Sequence, residues 1–349
     1  MLGRWSRKKG PVPLSILTGF LGSGKTTILN RALSNPSLEK TAIIINEFGE
    51  VGIDNLIAKQ VDEKMMILTT GCICCTVRGD ILSALRELFD RRAKREIPWF
   101  ERLMVETTGL ANPAPVVHAL VASTAARTRV YLDTLATAVD CVLGEETLEQ
   151  HTESVQQVAL ADVLLMSKSD LAEPTAIARL EERLTELNPR AQRVFTEDGF
   201  VDDGLLFGRN ALKPNVKSPN IDFWLGESSK IPEHAHGHSD SIRTWTLYRD
   251  VPFSDAEFHR FFKKLSSLAE SRLLRVKGII HVQPQGPVLV HGVQHAFYPP
   301  KWLAKWPSKD HRSRLVFISK GLSREDLGFV ARGFQTSDDV APQKSAAGS

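Results

Sequence analysis

The first part of the chain alternates short apolar runs with longer amphipathic stretches. This alternation is typical of a parallel sheet whose strands are joined by crossover helices. The apolar runs lie at Leu14–Leu17, Ala42–Ile45, Met65–Leu68, Leu103–Val105, Ala136–Val142 and Val163–Met166. Helices are predicted between them, as at Asp80–Arg95 and Glu173–Leu187. The pattern therefore predicts an α/β fold with a mostly parallel sheet flanked by helices.

The pattern changes at Pro214, and the chain is predicted to continue as a linker and a second domain. Residues 214–240 are rich in proline and serine, which predicts an exposed linker. Residues 241–335 predict a small α+β domain, with the elements Ile242–Tyr248 (strand), Ser254–Glu270 (helix), Leu273–Val282, Val288–Phe297 and Arg314–Ile318 (strands) and Ser323–Gly333 (helix). Residues 1–213 form the first predicted domain, and the polar residues 336–349 are predicted to be a disordered tail.

Composition favours a soluble cytoplasmic protein. The 349 residues carry 44 Lys plus Arg against 41 Asp plus Glu, and a net charge of +3 predicts no nucleic acid partner. No apolar region follows the basic start, so no secretory signal is expected, and the longest uncharged stretch, Thr107–Ala126, is interrupted by prolines and predicts no membrane span. Three of the four cysteines crowd into Cys72–Cys75, which suggests a reduced compartment and a metal or redox role.

A phosphate-binding loop follows the first predicted strand. Residues 19–26 read G-F-L-G-S-G-K-T, a full match to G-x-x-x-x-G-K-[ST] between a strand and a helix. Glycines let consecutive N–H groups point at phosphate oxygens, Lys25 would reach the β- and γ-phosphates, and the Thr26 hydroxyl would hold Mg²⁺. The residues expected at the nucleotide are Gly19, Gly22, Ser23, Gly24, Lys25, Thr26 and Thr27.

Other strand ends carry unusual polar sequences, which predicts one site beyond the carboxyl edge of the sheet. In E-T-T-G, Glu106 is placed to support Mg²⁺ or to orient the attacking water, so Lys25 and Glu106 are the predicted catalytic residues. Gly109 would let the backbone approach the γ-phosphate, so this turn is expected to sense its presence.

The residues Ser167, Lys168, Ser169 and Asp170 resemble the N-K-x-D guanine reader of GTPases. There the carboxylate accepts hydrogen bonds from the guanine N1–H and 2-amino groups, and the lysine stem lies over the base. Adenine lacks that donor pair, so Asp170 predicts GTP as the nucleotide. Ser167 stands in place of the usual Asn and predicts a weaker contact to the purine edge. A helix N-cap before Leu171 is the alternative interpretation.

Three thiols in Cys72-Ile73-Cys74-Cys75 can converge on one soft ion, for which Zn²⁺ or Cu(I) suits best. A fourth ligand could be water, a client protein, Glu47 or Glu50, and an open position suits transfer better than a structural site. A redox dithiol and a buried structural cluster stay open as alternatives. The linker histidines His234, His236 and His238 are expected to bind metal weakly or to be merely polar.

Four further residues are expected to serve packing or the surface rather than chemistry. Cys141 lies alone in an apolar strand and is predicted to pack in the core. His281, His291 and His295 are expected in strands of the second domain, in packing or surface positions.

Together these motifs resemble the CobW-type metal-chaperone GTPases (the G3E P-loop GTPases), and within them the YjiA-like bacterial branch. The matching segments are GFLGSGKTT, NEFGEVGID, GCICC, ETTGLANP, SKSD, DDGLLF, LLRVKGII, VLVHGVQHAFY and RLVFISKGL. The resemblance implies a P-loop NTPase domain with a CobW C-terminal-type domain, and GTP hydrolysis coupled to delivery of zinc, or of cobalt or nickel, to a metal-dependent client protein.

Three questions stay open at this point. A P-loop kinase or ATPase with a structural zinc cluster and a thiol redox switch are the alternative functions. The client protein and the physiological metal are undetermined. A homo-oligomer is neither required nor excluded by the sequence.

Overall fold

The computed structural model describes residues 10–46, 66–70, 77–208, 221–225, 242–268, 272–322 and 334. Glu47, Glu50, Cys72, Cys74, Cys75, the three linker histidines and the predicted helix Ser323–Gly333 lie outside these residues. The chain divides into two compact units, and the division falls between residues 233 and 234, within the predicted linker.

The first unit is built from strands and helices that alternate along the chain. Its strands are β1 Val12–Gly19, β2 Thr41–Asn46, β3 Met66–Thr70, β4 Arg102–Glu106, β5 Val130–Asp140, β6 Val163–Ser167 and β7 Gln192–Phe195. Its helices are α1 Lys25–Leu33, α2 Val77–Lys94, α3 Ala114–Ala122, α4 Thr124–Arg129, α5 Gly144–Gln150, α6 Thr152–Leu160, α7 Pro174–Leu187, α8 Asp203–Leu206 and α9 Ile221–Leu225, with a short 3₁₀ turn at Pro36–Leu38.

The seven strands form one sheet in the order β3-β2-β4-β1-β5-β6-β7, and every pairing among the described strands is parallel. Central strands such as Val163–Ser167 are buried at every position, because helices cover both faces of the sheet. Helix α7 buries Leu180, Leu184 and Leu187, one stripe at helical spacing. The predicted α/β fold with a mostly parallel sheet is confirmed.

In the first unit, one strand differs from its predicted bounds by several residues and another was not predicted. Strand β5 begins at Val130 rather than Ala136, because the polar yet buried Asp133 and Thr134 interrupt the apolar run. It ends at Asp140 rather than Val142, where the Asp140 carboxylate accepts hydrogen bonds from the Val142 and Leu143 amides in the turn that follows. Asp133 Oδ2 accepts a 2.6 Å hydrogen bond from the Gly208 amide. Strand β7 is absent from the sequence prediction, since an edge strand that reads Q-R-V-F lacks an apolar run.

The predicted linker is not exposed throughout. Helix α9 lies within it, and Ile221, Trp224 and Leu225 are buried at 2%, 4% and 1% exposure. The apolar residues of the sequence I-D-F-W-L explain this burial. The helix was not predicted because it is short and the residues around it are rich in proline and serine.

The second unit contains one antiparallel sheet and one described helix. Its elements are β8 Ile242–Arg249, β9 Phe253–Ser254, α10 Asp255–Leu268, β10 Leu273–Gln283, β11 Gly286–Val293, β12 Ala296–Phe297, β13 Lys301–Trp302 and β14 Ser313–Lys320. The strand order is β12-β11-β10-β14-β8, with β13 paired to β11 and the short β9 paired in parallel to β10.

Helix α10 places Phe258, Phe261 and Leu265 in the core of the second unit, where they meet sheet residues such as Val276 and Phe317. A small α+β domain is therefore confirmed. His281 and His291 lie in strands as predicted, but His295 lies in the turn between β11 and β12. Among the described helices of the two units, none is long and apolar enough to cross a membrane.

Candidate functional site

The phosphate loop leaves the end of β1 and turns sharply into α1. Gly19, Gly22 and Gly24 have backbone φ angles of 142°, 74° and 86°, which residues other than glycine rarely adopt. At Gly19 a Cβ atom would lie 2.4 Å from the Ala138 carbonyl oxygen, so the loop passes too close to β5 for any side chain. The curled backbone expected from the glycines is present, and Ser23 is buried within it.

The amine of Lys25 lies inside the curve of this loop. Its Nζ donates hydrogen bonds of 2.9 Å to the Gly19 carbonyl and 3.0 Å to the Phe20 carbonyl, and the residue is 9% exposed. Thr26, the next residue of α1, is half-buried, and Thr27 is exposed. The helix therefore begins with a cation and a hydroxyl at the mouth of the loop, where phosphates and a hard metal ion would be held.

The E-T-T-G turn follows β4 and is attached to β1. Glu106 is 5% exposed and lies beside Leu17 of β1 and Ile45 of β2. The Thr107 amide donates a 3.0 Å hydrogen bond to the Leu17 carbonyl, and the Thr107 hydroxyl donates a 2.8 Å bond to the Thr18 hydroxyl. These contacts place the predicted carboxylate next to the strand that leads into the phosphate loop.

Gly109 brings this turn into contact with the phosphate loop itself. A Cβ atom at Gly109 would lie 2.6 Å from both the amide nitrogen and the Cδ2 atom of Leu21. No side chain fits there unless the turn moves away. Gly109 therefore allows a close backbone contact with the loop residue Leu21. Its approach to a γ-phosphate stays a prediction.

Ser167, at the end of β6, connects the predicted base reader to the phosphate loop. Its hydroxyl lies 2.8 Å from the Ser23 carbonyl and 3.2 Å from the Val139 carbonyl. The serine that replaces asparagine thus contacts the backbone of the loop. Asp170, the predicted base-selecting carboxylate, is exposed beyond it.

Lys168 is held in place by Asp140, which sequence reasoning missed. Lys168 has a φ of 56°, and its Nζ donates a 2.6 Å hydrogen bond to Asp140 Oδ2. The other oxygen, Oδ1, accepts hydrogen bonds from the amides of Val142 and Leu143 at 2.7 and 3.2 Å. Asp140 ends β5, the neighbour of β6, so a carboxylate at that strand end was the available signal.

A second missed element is the loop after β7. The Thr196 amide donates a 2.9 Å hydrogen bond to the Met166 carbonyl, and a Cβ atom at Gly199 would lie 3.0 Å from Thr27. This loop therefore lies against the start of α1, beside the base reader. It was not found because β7 itself was not predicted.

Helix α6 adds two contacts that no motif indicated. The His151 ring, at the N-terminal end of α6, stacks on Phe20 of the phosphate loop with a centroid distance of 4.4 Å. Gln157 of α6 donates hydrogen bonds to the carbonyls of Gly109 and Ala111 at 3.1 and 3.0 Å. One helix therefore touches both the phosphate loop and the E-T-T-G turn.

The predicted metal ligands lie outside the described residues, but the strands that lead to them are described. Strand β2 ends at Asn46, just before Glu47, and β3 ends at Thr70, two residues before Cys72. These two strands are parallel neighbours, so the segments that follow them leave from one edge of the sheet. No group of three or more His, Cys, Asp or Glu suited to a metal occurs among the described residues.

Cys141 is buried at 2% exposure, as predicted, although it lies in the turn after β5 rather than in the strand. Burial, followed by the charge of Asp140, raises the pKa of its thiol to about 11. The thiol is therefore protonated at neutral pH and is a poor nucleophile and a poor metal ligand.

Two family models match the chain. Residues 13–195 match the model described as "CobW/HypB/UreG, nucleotide-binding domain", and residues 242–329 match "Cobalamin synthesis protein cobW C-terminal domain". The two matches fall in the first and second units, respectively.

Curated relatives and solved structures resemble the chain along most of its length. "Zinc chaperone YjiA" of Escherichia coli (strain K12) is 33% identical over 328 residues, covering 93% of this chain and 99% of that protein. "Zinc-regulated GTPase metalloprotein activator 1" of Schizosaccharomyces pombe is 31% identical over 348 residues, covering 90% and 84%. The crystal structure of Zn(II)-bound YjiA GTPase from E. coli superposes with a TM-score of 0.70 at 28% identity, covering 93% and 99%. A Zn(II)-bound triple mutant of that GTPase, with one glutamate and two cysteines replaced by alanine, gives a TM-score of 0.68 at 27% identity, with the same coverage.

Proposed function

The chain belongs to the CobW/HypB/UreG family, and we propose that it is a GTP-hydrolysing metallochaperone that carries zinc and passes it to a client protein. GTP binding and hydrolysis follow from this membership. Zinc, rather than cobalt or nickel, is proposed because the relatives described above are named zinc chaperones or zinc-regulated GTPases. A cytoplasmic location, where thiols stay reduced, is part of the proposal.

One observation carries the proposal: three predicted nucleotide motifs are connected at the carboxyl edge of one sheet. Ser167 of the base reader is bonded to Ser23 of the phosphate loop, and Gly109 of the E-T-T-G turn packs on Leu21 of the same loop. A nucleotide bound at the phosphate loop would therefore contact the loop, the E-T-T-G turn and the base reader together. This arrangement supports GTP as the substrate.

Within this site we assign hydrolysis to Lys25 and Glu106. The buried ammonium of Lys25 would neutralise charge that develops on the β- and γ-phosphate oxygens. The hydroxyl of Thr26 and the carboxylate of Glu106 are hard oxygen donors, which is the ligand chemistry that Mg²⁺ prefers, so these two residues would hold that ion. When bound, Mg²⁺ would neutralise phosphate charge. Glu106 would also orient the attacking water.

We assign the zinc cargo to Cys72, Cys74 and Cys75, with Glu47 and Glu50 as candidates for a further ligand. Thiolates are soft donors that bind Zn²⁺ well, and three of them leave a coordination position that a client could occupy. The adjacent strands β2 and β3 lead into these two segments, which supports their cooperation on one ion. The client would dock in part on the second domain.

Nucleotide state is proposed to control zinc affinity. Strand β2 lies between β3 and β4 in the sheet, and Glu47 and Glu50 belong to the segment that follows it. We propose that this segment responds to the γ-phosphate, so that it would carry candidate metal ligands and sense the nucleotide at the same time. Linkage then requires that zinc change GTP affinity by the same factor as GTP changes zinc affinity. Coupling in such systems typically changes affinity roughly 5- to 150-fold.

The test is the Zn²⁺ affinity, measured by competition with a chelating dye, with a GTP analogue, with GDP and without nucleotide. We expect one tight site whose affinity differs between the nucleotide states within that range. The triple variant Cys72→Ser, Cys74→Ser and Cys75→Ser should lose the tight site, whereas Cys141→Ala is the matched control and should keep it. Equal affinities in the three states would leave a GTPase with a structural zinc site.

The assay must separate tight from weak sites, because a relative with a glutamate and two cysteines replaced still binds Zn(II). Replacing His234, His236 and His238 by serine should lower the number of weakly bound ions and leave the tight site and GTP turnover intact. Loss of the tight site in that variant would show that the two metal sites are reversed.

A further inference from the structure

Gln157 is a fully buried amide that bonds to the turn expected to sense the γ-phosphate. The residue is 0% exposed, and its Nε2 donates to the carbonyls of Gly109 and Ala111 at 3.1 and 3.0 Å. A carbonyl oxygen can only accept a hydrogen bond, so the amide nitrogen, and not the amide oxygen, must face these two carbonyls of the turn. The amide oxygen, Oε1, has no hydrogen-bond partner within the described part of the chain. The role of the side chain in this structure is therefore donation to the turn.

The same turn also contacts the phosphate loop. A Cβ atom at Gly109 would lie 2.6 Å from the Leu21 amide nitrogen, so the turn and the loop are in tight backbone contact. The turn is thus in contact with both Leu21 and the amide of Gln157. Any movement of the Gly109–Ala111 backbone must break the two hydrogen bonds or carry α6 with it.

Helix α6 is itself attached to the phosphate loop and to strand β5. His151 stacks on Phe20, the neighbour of Leu21, and the Thr137 hydroxyl of β5 donates a 2.9 Å hydrogen bond to the main-chain carbonyl of Gln157. The helix is therefore attached to the phosphate loop and to β5, and the hydrogen bonds of the Gln157 amide connect it to the turn. Because backbone carbonyls must find donors when buried, the amide selects one conformation of the turn.

We propose that Gln157 is a positioning residue that holds the Gly109–Ala111 turn against the phosphate loop and so sets the response of the site to the third phosphate. The proposal rests on the proposed function, since it assumes that this site binds GTP. Gln157 does not touch the nucleotide; it acts through the turn. GDP lacks the third phosphate, so its affinity should depend little on the Gln157 amide.

The experiment compares the affinities of GDP and of a non-hydrolysable GTP analogue, measured with fluorescent nucleotides, together with single-turnover GTP hydrolysis. The variant Gln157→Met keeps the length of the side chain and removes the donor. We expect its GDP affinity to stay within about twofold, and its affinity for the analogue and its hydrolysis rate to fall roughly tenfold. Thr137→Val is the matched control, because it removes a buried hydrogen bond to the same residue without touching the turn.

An equal loss of both nucleotides in Gln157→Met, or no loss at all, would overturn the proposal. So would the same selective loss in Thr137→Val, since packing of α6 would then explain it. Gln157→Glu, which keeps the shape but offers an acceptor, is the second variant and should show at least the same selective loss. If neither Gln157 variant binds GDP, the role of the residue is structural and the proposal fails.

The parental chain separates this failure from failure of the proposed function. Parental protein that does not hydrolyse GTP contradicts the proposed function before any variant is measured. Parental protein that hydrolyses GTP, with variants that lose no selectivity for the third phosphate, contradicts only the assignment of Gln157.

Discussion

The Ser167 hydroxyl lies 2.8 Å from the main-chain carbonyl of Ser23, and this contact joins two loops that are 144 residues apart in the chain. One loop is expected to bind phosphates and the other to select the base. A Cβ atom at Gly24 would lie 3.4 Å from the Ser167 Cβ atom, so the two loops are also in van der Waals range. The position of the base reader is therefore tied to the position of the phosphate loop.

Replacing Ser167 by alanine should weaken GTP and GDP binding alike, because both nucleotides depend on the relative position of the two loops. Loss of one net hydrogen bond corresponds to about a fivefold change in affinity. Titration with fluorescent GTP and GDP measures it, and Ser169→Ala, two residues away, is the control. A selective effect on GTP alone would contradict this interpretation of the Ser167 contact.

Replacing Lys25 by alanine should abolish measurable GTP hydrolysis and weaken nucleotide binding. The ammonium that lies inside the loop is lost, and with it the charge that compensates the phosphate oxygens. We expect the turnover number to fall roughly a hundredfold or more. Phosphate release measures it, and Lys40→Ala, which removes an exposed lysine paired with Glu101, should retain parental turnover. Normal turnover in the Lys25 variant would remove that residue from the site.

Replacing Asp170 by asparagine should shift the nucleotide preference from GTP toward XTP. An amide can donate to the 2-carbonyl of xanthine, whereas only a carboxylate accepts both guanine donors. Charged hydrogen bonds of this kind change discrimination by roughly 10- to 100-fold. Competition of GTP, XTP and ATP against a fluorescent nucleotide measures it. Asp90→Asn alters another exposed carboxylate, one paired with Arg129, and should leave the preference unchanged.

Three of the four thiols should react in the metal-free native protein, and zinc should protect them. Cys141 should stay silent at neutral pH because burial raises its pKa to about 11. Thiol titration measures the number of reactive thiols in the metal-free native protein, in the zinc-bound protein and in denaturant. Reaction of Cys141 in the native protein at neutral pH would contradict its placement in the core.

The same raised pKa predicts a direction for stability at high pH. The folded state keeps the Cys141 thiol protonated, while the unfolded chain ionises it near its ordinary pKa of about 8.5. The contribution of Cys141 to stability is therefore complete below that pH and is lost progressively as the pH rises from there through the folded-state pKa of about 11. Denaturant midpoints of the parental protein and of Cys141→Ala should converge as the pH increases.

In the first unit, the sequence predicted the strands that contain an apolar run and missed the polar edge strand. Val163–Met166 is buried at every position and was predicted within one residue of its observed end. Strand β7 could not be found, because Gln192 and Arg193 break the apolar pattern and its place in the sheet depends on pairing with β6. Pairing of distant strands has no local signal.

The site shows the same division. Motif residues such as Lys25 and Glu106 were predicted because their chemistry requires particular residue types at particular spacings. Asp140 and Gln157 were not, because their roles come from contacts with residues 28 and 48 positions away in the chain. A glutamine in an amphipathic helix looks like any surface residue until the turn beneath it is known.

Under the proposed function, the order of strands in the first sheet has a consequence for the order of the release steps. Strand β3, which leads into the cysteines, stands three places from β1, which leads into the phosphate loop, a span of about 14 Å at the usual strand spacing. Under the proposed function, an ion held after β3 and a nucleotide held after β1 would occupy separate places along this edge of the sheet. Release of the ion and release of GDP would then be separate steps, and their order would decide whether GTP hydrolysis results in delivery.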